Sequence, residues 1–210
     1  MLTVHHLGLS QSERIVWLCE ELGIPYEFKR YDRLPTGMGP PEYKALHPLG
    51  SAPTITDGDL ALAESAAIME YIIGKYGDGR LAVRPDQPQY ADYLYWFHFA
   101  NGSFVPAEMG VIFHRMMGGS EESAPFIIER AERLWGLVEQ RLGEAPYFAG
   151  DIFTAADIIM GFPLTTGRMF TPHDLANYPN IRAWLGRIGQ RPAYRRAMKL
   201  AEPQMEPMLT

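Results

Sequence analysis

The first part of the chain alternates short apolar runs with one amphipathic period, and the second part keeps only the helical period. Leu2-Thr3-Val4-His5-His6-Leu7 reads as a short strand, followed by a loop from Gly8 to Gln11. Ile15, Leu18, Cys19 and Leu22 then fall at helical spacing, and Gly23 supplies a C-terminal stop. Tyr26 to Tyr31 reads as a second strand, and a loop rich in proline and glycine follows from Pro35 to Pro41. Two short apolar runs, Pro53 to Thr56 and Leu60 to Ala63, are joined by Asp57-Gly58-Asp59, a hairpin signal. Glu64-Ser65 opens a further helix with Ile68 and Ile72 on one face. The order is β-α-β, then β-β-α. With a right-handed crossover it predicts a four-stranded mixed sheet flanked by helices.

From Leu81 the pattern changes. Residues 81–88, Leu-Ala-Val-Arg-Pro-Asp-Gln-Pro, have little periodicity and read as a linker between residues 1–80 and residues 89–210. In the second segment Tyr90, Tyr93, Leu94 and Phe97 share a helical face, with a helix break expected at Asn101-Gly102. Ile127, Ala131, Leu134, Val138 and Leu142 mark a longer helix, and Ile181, Trp184, Leu185 and Ile188 another. Thr154-Ala155-Ala156-Asp157 has the form of a capping box, and Pro179 suits the first position of the helix carrying Trp184. An α/β domain followed by an all-α domain is the expected architecture.

Composition narrows the function classes. A chain of 210 residues has ample material for one large core or two small ones. The net charge of -6 and the lack of any basic stretch interleaved with aromatics argue against a nucleic-acid partner or an anionic membrane surface. No apolar run approaches the roughly 20 residues that span a bilayer, and the apolar start is broken at His5-His6, so no signal peptide is expected. One cysteine, Cys19, cannot form an intramolecular disulfide, which fits a reducing, cytoplasmic compartment.

Four features of the first segment combine into a candidate site. Ser10 lies in the loop before the helix carrying Arg14, where a hydroxyl faces the positive end of the helix and an anion would be favoured. The plain alternative for Ser10 or Ser12 is a helix N-cap, and the two serines can divide the roles. Ser51-Ala52-Pro53-Thr54 places a proline at the start of a strand. This is tolerated on structural grounds alone, or it is a cis peptide that turns Ala52 outward to pair with an extended peptide ligand. Glu64-Ser65 is a helix start that, with a ligand present, would hold a carboxylate through Ser65 and an ammonium through Glu64. The sheet topology, finally, would bring these distant stretches together.

The chain is similar to the cytosolic glutathione transferases over nearly its whole length. The resemblance is carried by Leu46-His47-Pro48-Leu49-Gly50-Ser51-Ala52-Pro53 and by Leu62-Ala63-Glu64-Ser65-Ala66-Ala67-Ile68. It is carried further on by Ala149-Gly150-Asp151 with Thr154-Ala155-Ala156-Asp157, and by Tyr178-Pro179-Asn180-Ile181-Arg182-Ala183-Trp184. It implies a thioredoxin-like α/β domain followed by an all-α helical bundle, with glutathione as co-substrate and a homodimer as the assembly. The spacing of Ser10 and Arg14 resembles the serine-type theta and phi classes, in bacterial or fungal-like form, since no tyrosine or cysteine occupies the N-terminal loop. By that resemblance Ser10 would donate to the glutathione sulfur, Ala52 would pair with the cysteinyl part and Pro53 would be the cis-proline. Glu64 and Ser65 would hold the γ-glutamyl group. Ser51 stands where many relatives carry Lys or Gln near the glycyl carboxylate, and His47 replaces the usual Asn, so Lys44 or Arg33 is the expected substitute.

The implied chemistry is thiolate activation. A free thiol with a pKa of about 8.5 is a few per cent ionised at neutral pH, and lowering it by about 2 units, roughly 2.7 kcal/mol, makes the thiolate dominant. The thiolate would attack a small hydrophobic electrophile in a pocket supplied by Tyr95, Phe104, Met109 and Phe113, with Met116 nearby and Met117-Gly118-Gly119 as a lid. Core packing is the competing reading of those side chains. Two other functions compete: a glutathione-dependent disulfide or peroxide reductase using the same thiolate, and a non-catalytic scaffold of the same fold. Cys19 reads as structural, His5-His6 lacks partners at metal-ligand spacing, no metal is expected, and Asp157 reads as a folding cap.

Overall fold

The computed structural model describes residues 1–210, Glu121 through its backbone alone. The chain forms two units. One comprises Met1–Ala82 with Ile188–Pro207, the other Val83–Arg187 with Met208–Thr210. The division falls inside the stretch read as a linker. The last helix, which lies within residues 89–210 read as one all-α domain, belongs with the first unit.

In the first unit the strands are β1 (Leu2–Leu7), β2 (Glu27–Tyr31), β3 (Thr54–Asp57) and β4 (Leu60–Ala63). They form one sheet in the order β2-β1-β3-β4. β1 runs parallel to β2, with Val4 opposite Phe28, and antiparallel to β3, with Val4 opposite Ile55. Asp57 pairs with Leu60, so the hairpin turn is the two residues Gly58-Asp59, and Gly58 takes the left-handed φ of 59° that such turns require. Two helices of this unit, α1 (Glu13–Leu22) and α3 (Ser65–Lys75), follow the order read from sequence, and the short α2 (Pro41–Lys44) between β2 and β3 was not read there. α1 ends at Gly23, whose φ is 61° and whose N–H donates to the Cys19 carbonyl.

α1 buries nearly its whole surface, because β1 and α3 cover one side and α9 (Pro192–Ala201) the other. Ala193, Tyr194, Ala197, Met198 and Ala201 form the buried stripe of α9, and Tyr194 meets Trp17 edge to face at 4.8 Å. Arg191 binds Glu21 at 2.6 and 2.8 Å, and Arg196 reaches Glu20 at 2.7 Å. That packing gives the C-terminal segment its place in the first unit. It also brings Glu202, the residue after α9, against β1.

The second unit contains α4 (Tyr90–Phe99), α5 (Val105–Met116), α6 (Pro125–Glu144), α7 (Ala155–Leu164) and most of α8 (Pro179–Gly189). Ala100–Phe104 is a π-helical turn that joins α4 to α5, where the sequence suggested a break. The capping box at Thr154 is formed: its side chain accepts from Ala156 N–H, and Asp157 accepts from Thr154 N–H at 2.9 Å. The residues read as helical faces are buried as expected at Tyr93, Phe97, Leu134, Val138, Leu142, Ile181, Trp184 and Leu185.

Candidate functional site

The site residues of the first unit gather at the ends of β1, β3 and β4. Ser10 is buried, its side chain only 5% exposed. Its hydroxyl donates to the Leu7 carbonyl at 2.6 Å, lies 2.7 Å from Ser12 Oγ and accepts from Ser12 N–H at 3.3 Å. Ser12 stands at the position before α1 but makes no capping bond with its side chain. Its Oγ instead accepts from Leu7 N–H at 3.1 Å and lies 2.9 Å from His6 Nδ1. The expected split, with Ser12 as cap and Ser10 facing a ligand, therefore changes on the Ser12 side. The sharp turn out of β1 draws both hydroxyls onto each other and leaves the first-turn amides of α1 to backbone acceptors such as Ser10 O and Gln11 O.

The loop that carries Ser10 is clamped from both sides. Arg33 donates to Gly8 O at 2.8 Å, to Leu9 O at 3.0 Å and to Gly37 O at 2.7 Å. Its guanidinium thus holds the loop in the free chain. Lys44, the other expected substitute, is exposed at the end of α2. Leu9 adopts a left-handed φ of 51°, and its N–H donates to the Glu202 carboxylate. Burial works to raise the Glu202 carboxyl, but hydrogen bonds from His6 and Leu9 and the charge of Arg30 outweigh it and hold the carboxyl below its ordinary range.

Arg14 links the Ser10 loop to α3. Its guanidinium donates to Gln11 Oε1 at 2.6 Å and to Ser65 Oγ at 3.3 Å. Complete burial lowers its pKa to about 9, with Glu13 opposing the shift, so it remains a cation at neutral pH. Ser65 is buried at the first position of α3, and the exposed Glu64 before it has a left-handed φ of 72°. A non-glycine residue there costs about 1–3 kcal/mol and is retained where surrounding structure imposes it. The Ala52–Pro53 peptide is cis. Ala52 is half-buried against Leu7, Tyr31 and Tyr43, while Ser51 is exposed.

The residues read as electrophile pocket fare unequally. Tyr95 and Phe113 are each 55% exposed and Met109 is 36% exposed, but Phe104 is fully buried, edge to face with Trp135 at 5.1 Å. Phe104 is core of the second unit, the competing reading of such aromatics. That unit holds a cavity of about 240 Å³ whose lining includes Glu108, Glu132, Trp135 and His173, and none of Tyr95, Phe104, Met109 and Phe113. His173 stacks on Trp135 at 4.0 Å. Burial pushes the Glu108 carboxyl up, with bonds from Thr171 and Trp135 working against it.

Cys19 is fully buried, and burial followed by the charge of Glu20 pushes its thiol well above the ordinary range. Thiol reagents are expected to leave it unmodified in the native chain and to label it on unfolding, which mass spectrometry reads directly. Among the described residues no group of three or more His, Cys, Asp or Glu side chains is arranged to hold a metal, and no helix is long and apolar enough to cross a membrane. Periodicity alone missed His6, Arg14 and Glu202. His6 had a signal, since alternation along β1 sends it to the face opposite His5, while Glu202 had none.

Residues 10–73 match the glutathione S-transferase N-terminal domain and residues 104–192 the corresponding C-terminal domain. Glutathione S-transferase 3 of Schizosaccharomyces pombe is 34% identical, covering 96% of this chain and 88% of the relative. Glutathione S-transferase 1 of Triticum aestivum is 31% identical, covering 92% and 91%. A crystal structure of a glutathione S-transferase from Actinobacillus pleuropneumoniae superimposes with a TM-score of 0.88 at 33% identity, over 100% of this chain and 99% of that one. A loop clamped around two buried serines, a cis-proline and a strained Glu64 before α3 thus occur on a chain whose two halves both match one family, and the chain belongs to the glutathione S-transferases.

Proposed function

We propose that this chain is a serine-type glutathione transferase in which Ser10 donates its hydroxyl to the thiolate of bound glutathione, which then attacks a small hydrophobic electrophile. The observation that carries this reading is the Ser10 hydroxyl, buried at the entry to α1 and fixed by a loop that Arg33 and Glu202 both clamp. The oxygen is held in place before the ligand arrives, and only its hydrogen, given to Leu7 O in the free chain, has to turn toward the sulfur to stabilise developing negative charge. Glu64 and Ser65 take the γ-glutamyl end, as ammonium partner and carboxylate donor, with Arg14 adding a positive charge behind Ser65. Ala52 pairs with the cysteinyl backbone beside Pro53, and Ser51 lies toward the glycyl end. Tyr95, Met109 and Phe113 remain the exposed apolar side chains offered to the electrophile. The reading includes a cytoplasmic homodimer, tested by sedimentation.

Calorimetry of glutathione binding, followed by rates on an aryl halide and on a disulfide, tests the proposal. Saturable binding with faster turnover of the aryl halide is the expected result. Faster turnover of the disulfide would make the chain a reductase, and no binding would leave a scaffold. Ser65→Ala is expected to raise the glutathione Kd about tenfold while leaving kcat nearly unchanged, the loss of one charge-assisted hydrogen bond to the ligand. A change in kcat without a change in Kd would remove Ser65 from the binding role.

A further inference from the structure

Behind Ser10 a continuous chain of hydrogen-bonding groups runs inward, and thiolate activation as proposed leaves it without a function. Ser10 Oγ lies 2.7 Å from Ser12 Oγ, Ser12 Oγ lies 2.9 Å from His6 Nδ1, and His6 Nε2 lies 3.1 Å from Glu202 Oε1. All four side chains are buried: Ser10 and Glu202 are 5% and 4% exposed, and His6 and Ser12 are 0%. Phe28 on β2 stacks on the His6 ring at 5.8 Å. The charged groups around the far end are Glu202 itself, Arg30 of β2, whose guanidinium is 3.6 Å from Glu202 Oε2, and Arg33, close enough for its charge to act on Glu202.

The directions of these bonds follow from the groups themselves. Glu202 is ionised and has no hydrogen to give, so His6 Nε2 carries the proton that joins them. In the neutral ring Nδ1 is then a bare acceptor, and the Ser12 hydroxyl donates to it. Ser12 Oγ is left to accept from the Ser10 hydroxyl, whose hydrogen has two acceptors in reach, Leu7 O at 2.6 Å and Ser12 Oγ at 2.7 Å. Ser10 Oγ can in turn accept from a thiol.

We propose that the thiol proton of bound glutathione passes along Ser10 and Ser12 to His6 Nδ1, with Glu202 orienting the ring and neutralising the imidazolium that forms. The S–H bond breaks as a new O–H forms on Ser10. The former Ser10 hydrogen moves to Ser12, and the former Ser12 hydrogen moves to His6 Nδ1. The product is a thiolate accepting from Ser10, with both serine hydroxyls reversed and the positive charge on His6 facing Glu202. No atom is gained or lost, and each serine ends as a hydroxyl. His6 and Glu202 touch no ligand and act through the serines as positioning residues. Only the His6 end of the pair changes charge. This inference rests on the proposed role of Ser10.

NMR of the native chain with nitrogen-labelled histidine tests it, with ultraviolet absorbance reporting the thiolate. Glutathione is expected to turn the His6 nitrogens to imidazolium values as thiolate absorbance appears, whereas S-methylglutathione, which has no thiol proton, leaves His6 neutral. Thiolate formation with an unchanged His6, or the same His6 signal with both ligands, overturns the relay alone. Failure of glutathione to bind overturns the parent reading along with it. His6→Asn, whose amide can accept from Ser12 but cannot take a proton, is expected to lose about threefold in kcat/KM at neutral pH, the drop in thiolate fraction when the bound thiol rises by about one pKa unit. Its KM for glutathione should hold, and its activity should recover at a pH above the raised thiol pKa. An equal loss at every pH overturns the relay in favour of a purely structural His6.

Discussion

Ser10→Ala is expected to bind glutathione and to lose about 25-fold in kcat/KM near neutral pH, because the bound thiol returns toward its free pKa. The magnitude follows from the thiolate fraction: a shift of about 2 units separates a mostly ionised thiol from one ionised by a few per cent. The fold should tolerate the change. Leu7 O keeps the Ser12 hydroxyl within 3.4 Å, and the loop keeps its clamps from Arg33 and Glu202. The deficit should shrink as pH rises past the pKa of the free thiol, about 8.5, because solvent then ionises the sulfur without help. Thiolate absorbance against pH in native and variant chains measures the shift. An unchanged thiol pKa in the variant would transfer the donor role to Ser12 or to a backbone amide.

Local signals made much of this legible. β1 and β4 fall on the short apolar runs read as strands, the Gly23 stop caps α1, and the capping box at Thr154 is formed. Each is decided by neighbours within a few residues, where propensity and hydrogen-bond geometry act alone. The readings that changed depend on partners distant in sequence. Ser12 looked like a cap because Ser, Asp and Asn before a helix usually cap it. Its hydroxyl goes elsewhere because β1 brings Leu7 and His6 within reach. Arg33 was read only as an anion grip, and its bonds to the loop carbonyls of Gly8 and Leu9 were not legible. Phe104 could not be told from a pocket residue, since burial against Trp135 on α6 is a property of the packed bundle. Glu202 was the least legible, lying nearly the whole chain away from His6 and reaching it only because the stripe on α9 docks that helix on α1.

Asp157→Ala is expected to be the most damaging single change in the second unit, costing about 4 kcal/mol of stability. Asp157 is fully buried, and its carboxylate accepts from Thr154 N–H at 2.9 Å, Phe148 N–H at 3.1 Å and Trp184 Nε1–H at 3.0 Å. These donors lie at the start of α7, on the segment before it and on α8, so one side chain ties three pieces of the bundle. Alanine strands all three, and each buried donor left unpaired costs about 1–3 kcal/mol, with incomplete additivity. Denaturant midpoints read the loss directly. The same group sets a pH dependence. Burial, opposed by these donors, raises the carboxyl from 3.8 to about 6 in the folded chain. The native state therefore holds a proton that the unfolded chain has already released, so this contribution is full below pH 3.8 and is lost as pH rises through about 6. Asp157→Asn cannot titrate, and its deficit relative to the native chain should widen as the pH falls from about 6 toward 4. A deficit that narrows instead would mean that the donors outweigh burial and that Asp157 stays ionised throughout. In that case its stabilising effect would be charge-assisted, and the neutral amide would be the worse replacement at neutral pH.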